Sequence, residues 1–467
     1  MCCFAQAIPW SSRKAVANLV STLLVGAALV GADLASAQSI GPPTGDTGGV
    51  FGRRPTRDAA VFGQDLTLVI NGGSGFDDNS DGDGNPLPLG AFGALQSGVL
   101  SRVDATATYR VGKTRKSLQT EVRGYSNFAS EGIDRISGVA AHIQAELPLG
   151  RRAGLFLTGD SSYDPAYLFN AFGPVLDQIE AGGVPGAAPA QGITTEQWLT
   201  ANGTVGVYRN WSPRQRSETT ASTSRRSQRG ARGDSSPSDG LSNRANWVGA
   251  RHSWAPRAYA TFDLGYRYEN NRTQDLLGLS DSIETQATEV VVRLEKRLSP
   301  SRHAQLNLGG GVTHARVASA MAGQAADFTV PSFTALARLQ PSRGFEIALD
   351  ARRDVSVLRG VAPDAFATNA VSLRLSGAPL ARLQWAVSGG MSRGTSSLDS
   401  AVSFAVATAV AQAQVALTRY CALSMSYAYY DHRLEGISLL IPGFPPGFAR
   451  SSARVGLTLW IPVVGRF

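Results

Sequence analysis

A chain of 467 residues is long enough for two or three soluble domains or for one large closed barrel. No stretch reaches the ~20 apolar residues of a helical span, and a hydrophobic fraction of 43% with a mean hydropathy of -0.08 suits a soluble protein or a barrel, in which lipid-facing and lumen-facing residues alternate. The 51 glycines weaken helix interiors and suit strands and turns, and a net charge of +8 directs attention to anionic partners.

The N-terminus carries Arg13 and Lys14, a mostly apolar run over 15–30, and Ala35-Ser36-Ala37 before Gln38. That order of basic residues, apolar run and small-residue cleavage site predicts a secretory signal peptide over 1–37. The run is shorter than the ~20 apolar residues a helical span needs, which disfavours a single membrane anchor. Cys2 and Cys3 leave with the signal, so Cys421 is the sole cysteine of the exported chain and no intrachain disulfide forms. Arg13, Lys14 and Asp33 sum to +1, so 8 − 1 leaves +7 on the mature chain. Residues 38–64 are rich in Gly, Pro and Arg, show no period, and read as a flexible lead-in to a single domain over 65–467.

The first strand is expected at 65–71, where Leu66, Leu68 and Ile70 share a face. A Gly/Asp/Pro loop over 72–98 leads to a second alternating stretch at 99–111. There Val103, Ala105, Ala107, Tyr109 and Val111 oppose Arg102, Asp104, Thr106, Thr108 and Arg110. A short turn at 112–117 gives a third strand at 118–128, and the pattern then repeats as strand, short turn, strand, long loop. Pairs are expected at 139–147 with 155–161, 199–210 with 217–225, and 245–254 with 259–269. An Arg/Ser-rich loop over 226–244 separates the last two pairs. Further pairs are expected at 285–296 with 303–314, 328–339 with 345–357, 370–376 with 383–391, and 401–417 with 423–433; a final strand begins at 448. The total is about 18 strands, 16–18 allowing for boundaries, each near the ~10 residues that cross a bilayer when tilted.

Outward apolar faces are expected at Ala260, Phe262, Leu264, Tyr266 and Tyr268, and at Phe345, Ile347, Leu349 and Ala351. Trp198, Trp211, Trp254, Tyr268, Tyr429 and Trp460 are candidates for interfacial girdles. The opposite faces carry Arg102, Arg110, Arg123, Arg267, Arg293, Arg338, Arg352, Arg374 and Arg454 against Asp104, Glu121, Asp263, Glu289, Glu295, Glu346 and Asp350. Inward charges of both signs need a hydrated lumen or mutual pairing, so the alternatives are a pore and a barrel plugged by its own ion pairs.

The last stretch, Ala453 to Phe467, places Val455, Leu457, Leu459, Ile461 and Val463 on one face and ends on an aromatic residue. It resembles the closing strand of Gram-negative outer-membrane β-barrels, the alternative being an edge strand of a soluble sheet. The alternation of short and long connections is that of the same class: short periplasmic turns, long outer loops and both termini in the periplasm. The resemblance implies an all-β, antiparallel up-and-down transmembrane barrel of the outer membrane. It implies outer-membrane lipid, lipopolysaccharide and the barrel-assembly machinery as partners, with Phe467 part of the assembly signal. Oligomerisation is compatible with it, and nucleic acid is not an expected partner.

Asp77, Asn79, Asp81 and Asp83 alternate, with Gly82 after the third, and resemble the first half of a calcium loop. The twelfth position is Pro88 rather than Glu, so the other reading is a solvated acidic loop. Beyond that calcium no cofactor is expected. The cluster Arg225, Arg226, Arg229 and Arg232 suits a solvated loop or lipopolysaccharide phosphates. His142, His252, His303, His314 and His432 are scattered outside any nucleophile motif, so no enzyme is read. The expected function is a porin-like passive channel for small hydrophilic solutes with mild anion preference. The alternative is a non-channel barrel for surface attachment or envelope polysaccharide export.

Overall fold

The computed structural model describes residues 63–81, 98–113, 116–129, 136–165, 197–229, 242–274, 280–299, 302–319, 324–342, 344–357, 365–380, 382–397, 402–435 and 447–464. The signal peptide, nearly all of the lead-in and Phe467 lie outside them.

Alternation of side chains along the sequence produces strands throughout the described residues. They are β1 (Gly63–Asp81), β2 (Gly98–Lys113), β3 (Lys116–Ala129), β4 (Ile136–Pro148), β5 (Ala153–Pro165) and β6 (Gln197–Ser212). Then follow β7 (Gln215–Arg229), β8 (Ser242–Arg257), β9 (Ala260–Gln274), β10 (Ser280–Ser299), β11 (Arg302–Ser319) and β12 (Gln324–Ser342). The last are β13 (Phe345–Val357), β14 (Ala365–Leu380), β15 (Leu383–Ser396), β16 (Ser403–Ala416), β17 (Cys421–Glu435) and β18 (Gly447–Val464). Each strand pairs antiparallel with its neighbours in sequence, and β1 pairs with both β2 and β18, closing an 18-stranded ring. Closure leaves no edge, so every strand finds backbone partners on both sides.

All the expected strands form, and several run longer than the sequence suggested. β1 continues through Gly72, Gly73 and Gly75 to Asp81, where a loop was expected from residue 72, because it zips against β18 as far as Asp81↔Phe448. β7 reaches Arg229, so Arg225, Arg226 and Arg229 stand on a strand and not in a loop. Glycine permits the closing seam: Gly73 and Gly456 are register partners, and a Cβ on either would lie 2.6 Å from the facing strand's carbonyl oxygen. At the two-residue turn between β12 and β13, Gly344 adopts φ 75°, a conformation that disfavours side chains.

One face of the ring is apolar and exposed. Val455, Leu457, Leu459 and Ile461 are each more than 40% exposed, as are Leu264, Tyr266 and Leu349 on the faces read as outward. A continuous apolar exterior of this extent would drive association in water and is at home in lipid. Tyr429 lies on this surface, and Trp211 and Trp254 mark its boundary at the short-turn end. Trp460 departs from the girdle expectation: it is 9% exposed, shares the inner-face parity of Thr458, and stacks on Tyr420 at 6.0 Å.

Candidate functional site

The inner face is where the charges collect. Antiparallel partners project to the same side, so register alone joins Asn71, Asp104 and Thr458 into one wall. By the same ladders Arg102, Arg110, Arg123, Glu121, Asp263, Arg267, Arg293, Arg338, Glu346, Asp350, Arg352, Arg374 and Arg454 all stand opposite the apolar exterior.

The tightest group spans β1, β2 and β3. Asn71 Nδ2 donates to Asp104 Oδ2 at 2.8 Å, Arg102 Nε approaches Asp104 Oδ1 at 3.5 Å, and Arg123 Nη2 lies 4.0 Å from Asp104 Oδ2. The Arg102 guanidinium also covers the Tyr125 ring at 4.3 Å. Two guanidiniums thus share one carboxylate, and all three side chains are largely buried. In β3, β4 and β5, His142 Nδ1 sits 2.5 Å from Asp160 Oδ1, while Glu121 is the register partner of His142 on the other side.

A second charged arc spans β9 to β12. Arg293 Nη2 donates to Asp263 Oδ2 at 3.4 Å, and Arg267 pairs with Glu269. Glu289 accepts from Thr334 Oγ1 at 2.7 Å and lies over Gly309, whose missing side chain makes room for it. Glu295 is the acceptor or partner of His303 Nε2 at 2.9 Å. Arg338 and Arg374 flank Ala348, each being its register partner from one side.

Several N–H groups on these arginines are buried and have no acceptor among the described residues: Arg102 Nε, Arg110 Nε, Arg123 Nε and Nη2, Arg293 Nε, and Arg352 Nε and Nη2. An arginine N–H buried without a hydrogen-bond acceptor is costly, so these guanidiniums are held against the wall by packing and charge more than by complete hydrogen bonding.

An apolar cluster of the barrel wall escaped the sequence reading. Ile283, Val317 and Ala365 form a buried cluster with Phe328 and Val355 packed on it, at the long-loop ends of β10 to β14. Nearby, Phe366 and Phe404 meet edge to face at 5.4 Å, and Val406 and Val410 continue the apolar surface down β16. The available signal was β16 itself, whose two faces are both apolar: Phe404, Val406 and Val410 alternate with Ala405, Ala407, Ala409 and Ala411. β10 to β12 stand about half a turn of the ring from β1 to β3, so the two charged groups face each other across the ring.

Asp77, Asn79 and Asp81 occupy alternate positions of β1, spaced about 7 Å apart by strand geometry, and Asp83 lies outside the described residues. Among the described residues no group of three or more His, Cys, Asp or Glu is placed to hold a metal ion. Cys421 forms no disulfide among the described residues.

No family model matches the chain, and no curated protein does. Among solved structures the chain is similar to Acinetobacter baumannii OccAB4, at 9% identity and a TM-score of 0.45 over 85% of this chain and 98% of that one. It is similar to Pseudomonas aeruginosa OccK2 (OpdF) in complex with glucuronate, at 12% identity and a TM-score of 0.44 over 86% and 100%. It is also similar to the E. coli ferric-catecholate import receptor Fiu, at 8% identity and a TM-score of 0.41 over 84% and 81%.

Proposed function

We propose that the chain is a porin-like passive channel of the outer membrane, passing small hydrophilic solutes with a mild preference for anions. The observation that carries this reading is a closed 18-stranded ring whose inner face carries charged side chains of both signs opposite an apolar exterior. Inward charges call for hydration, and a barrel of 16–18 strands is wide enough to hold an aqueous channel. Arg102 and Arg123 share the single carboxylate of Asp104, so water beside that group holds anions more readily than cations.

Passage is diffusive. A solute exchanges part of its hydration for guanidinium donors that are already oriented, and leaves because no single station surrounds it. The barrel exterior supplies insertion, and the lumen supplies selectivity.

Single-channel recording in a planar bilayer under a salt gradient tests the proposal. Steady conductance steps with a reversal potential on the anion side are expected. A silent bilayer from protein that shows heat-modifiable folding on a gel would overturn it, and would favour the non-channel reading of surface attachment or polysaccharide export.

A further inference from the structure

The eight even-to-odd connections, from β2–β3 to β16–β17, are short and lie at one rim of the ring. Taken with one flanking residue on each side, every one of them contains Arg or Lys, and none contains Asp or Glu. The chain as a whole carries 44 Lys and Arg against 36 Asp and Glu, so a rim chosen only for solubility would be mixed in sign. The connections at the other rim are mixed in sign: the segment 166–196 contains Asp177, Glu180 and Glu196 and no Arg or Lys, whereas 230–241 carries Arg232 with Asp234 and Asp239.

Six of the short connections each contribute an exposed arginine at a described position: Arg152, Arg214, Arg257, Arg302, Arg382 and Arg419. They stand at the level of exposed aromatic residues on the lipid side. Arg209 lies over the Trp211 ring at 4.0 Å, while Trp254 packs on Phe262 and Phe345 on Trp385 in the same belt. Tryptophan and tyrosine settle at the boundary between acyl chains and head groups. A guanidinium at that depth faces the phosphodiester layer, and its planar donors suit phosphate oxygens.

We propose that this rim is a belt for anionic phospholipid head groups, binding the phosphate of lipids such as phosphatidylglycerol in the adjoining leaflet. The distribution selects lipid over a protein partner: a docked protein would touch one sector, whereas the arginines recur round the ring, as an annulus of lipid does. The belt requires that the barrel sit in a bilayer and does not require that it conduct. A silent channel recording therefore leaves it standing.

The test uses the refolded chain in phosphatidylcholine vesicles doped with spin-labelled phosphatidylglycerol or spin-labelled phosphatidylcholine, reading the motionally restricted fraction of each by electron paramagnetic resonance. The anionic label is expected to be favoured on the order of fivefold at low salt, the factor supplied by about one basic residue at an anionic surface, and to lose that preference in concentrated salt. Combined replacement of the six arginines by Gln abolishes the preference. Arg244→Gln with Arg272→Gln, exposed at the opposite rim, leaves it intact. A heat-modifiable band confirms that each variant has folded. Equal restriction of the two labels by the unaltered protein would overturn the proposal, as would a preference that survives the sixfold replacement. Absence of lipid preference with salt-sensitive retention on isolated peptidoglycan would instead assign the rim to a cell-wall polyanion, and also overturn it.

Discussion

Asp104 neutralises a cluster that has few other means of neutrality. Its carboxylate serves Arg102 and Arg123, whose side chains are 8% and 13% exposed, and accepts from Asn71. Removing a carboxylate from buried guanidiniums leaves charge without compensation, which costs about 3–5 kcal/mol in a dry interior. Water in the lumen brings the Asp104→Ala penalty toward the lower end, about 3 kcal/mol, whereas Asn71→Ala loses one hydrogen bond and about 1 kcal/mol. Urea midpoints of the refolded variants in vesicles check the ranking; equal midpoints for Asp104→Ala and the parent would show that the cluster is not held by this carboxylate. The parity of these residues was legible in the sequence, since Arg102, Asp104 and Arg110 alternate with an apolar face. Their pairing was not, because contacts such as Arg123 with Asp104 cross strands, and the sequence does not display register.

Strands were legible wherever one face was apolar and the other polar, and obscure where local composition argued against extension. Glycine and aspartate between Gly72 and Asp81 read as a loop, yet the ladder to β18 holds them extended, an example of tertiary pairing overriding local preference. Adjacent glycines in β11 show how position decides their role. A Cβ on Gly310 meets nothing within 4 Å, whereas one on Gly311 meets the Thr288 carbonyl oxygen and lies 2.9 Å from Glu289 Cα. Gly310→Ala is therefore expected to refold as the parent does, while Gly311→Ala forces β10 and β11 apart and lowers the folded yield, read as the heat-modifiable fraction on a gel. On β18, Leu457 faces outward near the middle of the strand at 48% exposure. Leu457→Arg places a charge against the hydrocarbon and is expected to cost about 2–4 kcal/mol in a vesicle-based unfolding titration. A cost near zero would show that this face does not meet lipid.

At the scale of the whole barrel, the question is whether the inner charges act on the lumen or only on each other. Arg102, Arg123 and Asp104 form one compact group, and Arg293 with Asp263 another, yet each leaves arginine donors without a protein acceptor among the described residues. A wall of strictly matched pairs would present a field that cancels over a few ångströms, and ion preference would be absent at every salt concentration. A wall with surplus guanidinium projects a net positive potential into the water, limited by screening over ~10 Å at 0.1 M salt and ~3 Å at 1 M. The lumen of an 18-stranded barrel is wider than the second of these lengths. Reversal potentials are therefore expected to show anion preference near 0.1 M potassium chloride and to approach zero near 1 M, with Asp263→Asn strengthening the preference at low salt by removing the carboxylate opposite Arg293. A preference independent of salt, or one for cations, would mean that the acidic members of the wall control the pore and that the arginines are spent in pairing.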